Sequence, residues 1–398
     1  RQQRFESRFS AVGPRRRAER PSVDQFAVPS AAGGLRALWE HAWRDDVHLL
    51  AGVDGALIFG VTNEDARFDG HQFTVRRRAG GQSLAGGVFA RLAWEPLPAL
   101  TWTVGGRVDG WQRRGLMQRE RTIRTGVLTT DKHPPDASSV IASPVLAVRW
   151  APAPAWNVRA AAGGGTRVPT LNELTRSFRV RQDVTLANPR LRPERSLGSE
   201  VGGDVVLGRA TASLTGYWQQ LDDAIGNVTV TGARRAARCP GLPAVGRCSE
   251  RRNLDRIDSR GLELDAAWAF AAPWELRASY ALQDARIAAR RDGALDGRRS
   301  PQVPLHSATT RLAYDDPHGA FAALELRYTG RQYDDDRNQH ALGGVVTVNA
   351  QVGWHLSAHC EVFLRSENLF DRTVPTGRSD VTSVGAPRLL HGGFRVTF

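Results

Sequence analysis

The chain closes on Gly393-Phe394-Arg395-Val396-Thr397-Phe398, and the reading of that stretch decides the fold. Apolar and polar side chains alternate. Phe394, Val396 and Phe398 fall on one face of an extended chain, Arg395 and Thr397 on the other. The same period recurs upstream. Trp274, Leu276, Ala278, Tyr280 and Leu282 alternate with Glu275, Arg277, Ser279 and Gln283. Val346, Val348, Ala350, Val352, Trp354 and Leu356 oppose Thr347, Asn349, Gln351 and His355. Leu262, Leu264, Ala266, Trp268 and Phe270 oppose Glu263 and Asp265, and Leu214 and Trp218 oppose Ser213, Tyr217 and Gln219. A period of two over so many segments predicts sheet.

Short turns punctuate these strands at 44–46, 96–99, 151–155, 208–210, 271–273, 315–319 and 357–358. Between them lie polar loops at 113–138, 164–195, 220–258, 285–302, 331–342 and 371–387. Two strands of ~10 residues, a short turn and one long loop make the repeating unit of an outer-membrane barrel. Of the 398 residues 41% are apolar, and no stretch approaches the length of a membrane helix. A barrel wall needs none, because only one face of each strand meets lipid. A soluble sandwich would turn the same apolar face inward. Trp102, Trp156 and Trp274 favour the barrel, since each lies a few residues from a short turn, where an interfacial aromatic girdle sits. The pattern predicts an all-β, transmembrane, antiparallel up-and-down barrel wall of about 16 strands.

Net charge is +13, and Lys132 is the single lysine among 54 basic residues. The arginines are scattered, without the stripe or motif that nucleic acid demands, which excludes that partner. Outer-membrane lipid with its anionic lipopolysaccharide, or an anionic ligand, fits the charge instead. Of the three cysteines, Cys239 and Cys248 bracket a Pro/Gly loop and suit a local disulfide, with a zinc pair as the competing reading. The chain begins on Arg1 without a signal peptide, which fits a mature protein or a fragment.

Motifs enter between residues 158 and 200. Gly165, Arg167, Pro169, Thr170, Leu171, Glu173 and Leu174 are followed by Asn188, Pro189, Leu191, Pro193, Glu194 and Glu200. Near the end stand Glu367-Asn368-Leu369-Phe370-Asp371 and Gly385-Ala386-Pro387-Arg388. Together these resemble the β-barrel of TonB-dependent receptors, from about residue 35 onward. The resemblance implies a wall belonging to a 22-stranded barrel, so residues 1–398 read as one partial barrel domain whose plug and first strands lie elsewhere. It implies a monomeric receptor in the bacterial outer membrane, taking up a scarce ligand such as a ferric siderophore, haem or cobalamin. TonB would act through the missing amino-terminal region. A passive porin of about 16 strands is the rival. Most motif residues are expected to build the barrel and not to touch ligand. Pro189 and Pro193 end a loop, Asn368 and Asp371 fix a turn, and Gly163 to Gly165 leave room for a close neighbour.

No constellation for catalysis, cofactor or resident metal is found, so the chain is not read as an enzyme. Candidate ligand residues lie in loops. Arg176, Arg179 and Arg181 would attract an anionic small molecule or metal chelate, or stand as solvated loop charges or lipopolysaccharide contacts. Tyr333 with Asp334, Asp335 and Asp336 would contact a chelate or bind Ca²⁺, or form a solvated loop tip. Phe398 resembles the assembly signal of outer-membrane barrels. Its deletion is expected to lower the amount of heat-modifiable barrel in the outer membrane; an unchanged amount would refute that role.

Overall fold

A computed structural model describes residues 2–12, 19–180, 182–290, 292–378 and 382–397. Phe398 and Arg181, both named above, lie outside them. One sheet of seventeen strands dominates. The short strand Leu128–Lys132 pairs the upper end of Leu100–Thr122, whose lower part pairs with Ala137–Ala153. Those two pieces share one position, which leaves sixteen positions in the wall, each antiparallel to its neighbour in sequence. Among the described residues, Gln2–Val12 and Leu389–Val396 are the two open edges.

All seven predicted turns are present, from Asp45-Asp46 to Ala358-His359. The opposite ends differ from expectation. Glu19–Arg44, Val47–Phe68, Phe73–Leu97 and Leu100–Thr122 run for 22 to 26 residues. A membrane strand needs ~9–11. Much of what reads as polar loop at 113–138 is therefore strand standing above the membrane.

The two faces meet different media. Val53, Val88, Val108, Val140 and Val201 are roughly half exposed or more, on the outer face. Rings gather at the short-turn end of that face. Trp150 and Trp156 lie 5.2 Å apart, and Trp268, Phe270, Trp274 and Tyr314 follow one another at 5.3, 6.4 and 5.0 Å. The inner face is charged and paired. Arg107 bridges Asp54 and Asp109 at 2.7 Å each, and Arg159 holds Asp204 at 2.7 Å. Apolar outside and polar inside is the reverse of a soluble sandwich, and it settles the choice between them.

A bulge shapes the upper wall. Gly80 faces Met117 while Gln82 faces Arg114, so two residues, Gly115 and Leu116, oppose one. Gly115 has φ +55°, a conformation suited to glycine. Leu116 turns inward and is fully buried with Trp111, Leu174 and Leu191. Beyond it the phase of the strand is inverted. The glycine trio at 163–165 meets wall neighbours: Gly163 and Gly164 approach Pro144 and Gly165 approaches Ser196.

The facing assignment is testable in a refolded chain. Val88→Arg places a charge on the lipid face and should cost about 2–4 kcal/mol in bilayer unfolding. A cost near zero would mean that Val88 faces water.

Candidate functional site

The site begins at the short helix Leu171–Thr175. Pro169 supplies no N–H to an entering turn, and Thr170 caps the helix in a capping box with Glu173. Glu173 also accepts from Arg167 at 3.1 Å, and Arg167 pairs with Glu194. Glu194 in turn accepts the Ile225 N–H at 2.5 Å. Leu174 seals the helix against Trp111 and Leu116 on the wall. The motif residues thus dock a loop onto the barrel, as the sequence reading expects of most of them. Asn188 and Arg251 bind the loop from above. The Asn188 side chain donates to the Arg251 carbonyl at 2.9 Å, and the Arg251 guanidinium donates to the Asn172 carbonyl at 2.6 Å. Burial pulls the Arg251 pKa below its usual value.

The helix delivers Arg176 to the wall. Its guanidinium lies 2.8 Å from Glu64, a carboxylate only 3% exposed, and Arg77 approaches the same group at 3.7 Å. Above them is a roof that the sequence reading assigned to irregular loop. Phe178–Val180, Asp183–Leu186, Cys248–Asn253 and Ile225–Thr229 form a four-stranded sheet. Its central pair is parallel, with Val184 beside Cys248. Cys239 and Cys248 are joined by a disulfide, which ties the helix Gly232–Arg238 to that sheet. Arg234 and Arg238 both reach Glu250 on the tied strand.

Wall and roof enclose a cavity of about 610 Å³. Arg67, Arg77, Arg78, Arg119, Lys132, Arg176, Arg179 and Arg238 line it against two carboxylates, Glu64 and Glu120. Phe178, Leu186 and Leu242 supply apolar surface. Such a chamber suits an anion that also carries apolar or aromatic parts.

Tyr333, Asp334, Asp335 and Asp336 are not among its lining residues. They lie where other loops meet. Asp334 pairs with Arg247 at 3.3 Å and accepts from Gln302 at 2.9 Å. Asp336 accepts the Thr229 N–H at 2.8 Å and its hydroxyl at 2.6 Å. Asp335 is 4% exposed and accepts N–H groups of Arg337, Gln339 and His340. Arg331 stacks over the Tyr333 ring at 5.3 Å. A solvated tip is therefore not what this triplet forms: its carboxylates are taken up in joining loops. Glu64, Arg238 and Glu250 escaped the sequence reading, because their partners are brought together only by folding.

Comparison with known proteins places this geometry. The sequence model described as TonB dependent receptor-like, beta-barrel, matches residues 6–369. The pesticin receptor of Yersinia enterocolitica is 29% identical over 157 residues, covering 37% of this chain and 23% of the receptor. The ferrioxamine B receptor of Salmonella typhimurium is 30% identical over 111 residues, 27% of this chain and 16% of that protein. The ferric yersiniabactin uptake receptor of Yersinia pestis superposes with a TM-score of 0.74 at 16% identity, over 100% of this chain and 57% of its own. A copper transporter gives 0.74 at 16% identity, over 95% and 58%. The chain thus spans less than two thirds of the length of these relatives.

Two outcomes follow for the roof. A thiol reagent should label one cysteine, Cys360, before reduction and all three after it; equal labelling would refute the pairing. Desolvation raises the Asp335 pKa, but the N–H groups of His340 and Gln339 and the nearby His340 charge outweigh it, so the value lies below the usual 3.8. A depressed folded-state value contributes stability in full above 3.8 and loses it as pH falls through the lower folded value. Cleavage of the 331–342 loop by pepsin should therefore stay flat above about pH 4 and rise below it, and Asp335→Ala should raise it throughout.

Proposed function

Because this chain belongs to the TonB-dependent receptor β-barrel family, we propose that it forms the wall and extracellular loops of an outer-membrane receptor for an anionic small ligand. A ferric siderophore is the leading class, with haem and cobalamin as the alternatives. The observation that carries the reading is the chamber under the disulfide-tied roof, with its excess of arginine over carboxylate. Arg176 is held by Glu64 and shapes the floor, whereas Arg179 is exposed at its mouth and meets the arriving anion. The chain performs no bond chemistry. It offers binding, and TonB supplies energy through a region outside these residues.

In a bilayer an unpaired strand edge is not tolerated. In the receptor reading further strands cover both edges. In the porin reading the edges pair with each other. Uptake separates the two. Cells carrying the gene are given radioactive iron as ferric citrate and as a ferric hydroxamate, with and without a protonophore. Uptake of at least one chelate should vanish with the proton gradient, and Arg179→Gln should weaken its binding about tenfold. Uptake that survives the protonophore, together with constitutive ion conductance in planar bilayers, would replace this reading by the porin.

A further inference from the structure

The disulfide of the roof stands at the edge of the chamber. Cys239 lines the cavity together with Pro240, Gly241 and Leu242. Cys248 is not among the lining residues and is only 1% exposed. A molecule inside the chamber therefore approaches the bond from the Cys239 side.

Charge selects what approaches. Among the described residues, eight basic side chains line the chamber against two carboxylates. Both carboxylates are already engaged: Glu64 by Arg176 and Arg77, and Glu120 by Arg77 at 2.8 Å and Arg67 at 3.4 Å. Arg78 and Lys132 line the chamber with no carboxylate partner among the described residues. Such a surplus gathers anions and favours thiolate over thiol. Thiolate is the species that attacks a disulfide.

The bond also fastens a segment that little else fastens. The helix Gly232–Arg238 has no buried side chain, and its N-cap Thr231 makes no side-chain bond to it. Arg235 donates to the carbonyls of Leu242, Pro243 and Gly246, contacts that tie the segment to itself. Its ties to the roof sheet are the disulfide, Leu242 in the apolar cluster around the two cysteines, and Arg234 and Arg238 on Glu250. Both arginine side chains are exposed, and ion pairs of that kind hold weakly.

We infer that Cys239–Cys248 is a redox latch on the chamber, opened by small thiols that carry a carboxylate or sulfonate. The thiolate attacks Sγ of Cys239, the S–S bond breaks, and the Cys248 sulfur leaves with the bonding pair and takes a proton. A second thiolate attacks the sulfur of the thiol now joined to Cys239 and releases Cys239, whose sulfur takes a proton in turn. Two small thiols are thus oxidised to one disulfide, and their two electrons reduce the cysteine pair. With the bond gone, residues 232–242 swing from the roof and the chamber opens on that side. The inference rests on the charge of the chamber and requires neither its ligand nor uptake.

The test exposes the full chain, refolded in detergent, to mercaptoethanesulfonate, mercaptoethanol and cysteamine at equal thiolate concentration. Alkylation and mass measurement count the opened cysteines with time. The sulfonate should reduce the bond about tenfold faster than the neutral thiol, with cysteamine slower still, and the gap should close in about 1 M salt. Arg78→Gln with Lys132→Gln should bring the sulfonate close to the neutral thiol, and either change alone should slow it about threefold. Heat-modifiable migration confirms that each variant is folded, and the salt dependence of the native chain carries the test if a variant is not. Trypsin then reads the latch: cleavage after Arg234, Arg235 and Arg238 should run about tenfold faster once the bond is reduced and alkylated. Equal rates for the three thiols, a gap that salt leaves intact, or unchanged cleavage would each overturn the proposal.

Discussion

Inside a bilayer no water is available to a bare peptide group, and every N–H and C=O of the wall must find its partner on a neighbouring strand. Antiparallel pairing from Gln2–Val12 to Leu389–Val396 meets that demand everywhere between these two open edges, and the rest of the architecture depends on it. Once the ladder is fixed, side chains have two destinations. Val88, Val140, Trp150 and Trp268 go to lipid, while Arg107, Asp54, Arg159 and Asp204 neutralise one another within. Lipid solvates the outer face, so this protein needs no large apolar interior. Its buried apolar clusters are small and sit where loops meet the wall or one another.

Above the membrane the constraint changes. Water returns, strands are free to bulge, and charge pairing organises the loops. Arg167 joins Glu173 to Glu194, and Arg176 joins the docked helix to Glu64. Glu250 gathers Arg234, Arg238 and Arg252 under the disulfide. Glu64 and Glu250 each serve more than one arginine, whereas Glu173 and Glu194 share Arg167. The chamber is left with cations that no carboxylate fully offsets, which is the physical reason an anionic guest fits it.

The wall was legible in the sequence because its signal is local. A period of two needs only a handful of consecutive residues, and a turn needs Gly, Pro or Asp at its corner; all seven short turns lie where those residues announce them. The motif around Arg167, Thr170 and Glu173 was legible too, and its residues make the docking contacts expected of structural positions. Arg176 and Arg179, expected together in one loop, both line the cavity because they sit on one short segment. Asp334, Asp335 and Asp336 show where such reasoning stops. Their type suggested solvent or a cation, yet their partners, Arg247, the 337–340 backbone and Thr229, include groups on a distant loop.

The sequence by itself determined the strand period, the short turns, the inside-out distribution of polarity and the family, since each is written in neighbouring residues or in a compact motif. Tertiary structure alone decided the parallel pairing of Val184 with Cys248, the meeting of Arg176 with Glu64 across 112 residues, and the phase change at Leu116. Those depend on which strands lie side by side and on their register. A shift of one residue in register exchanges the two faces of a strand, and no local pattern records it where both faces are polar.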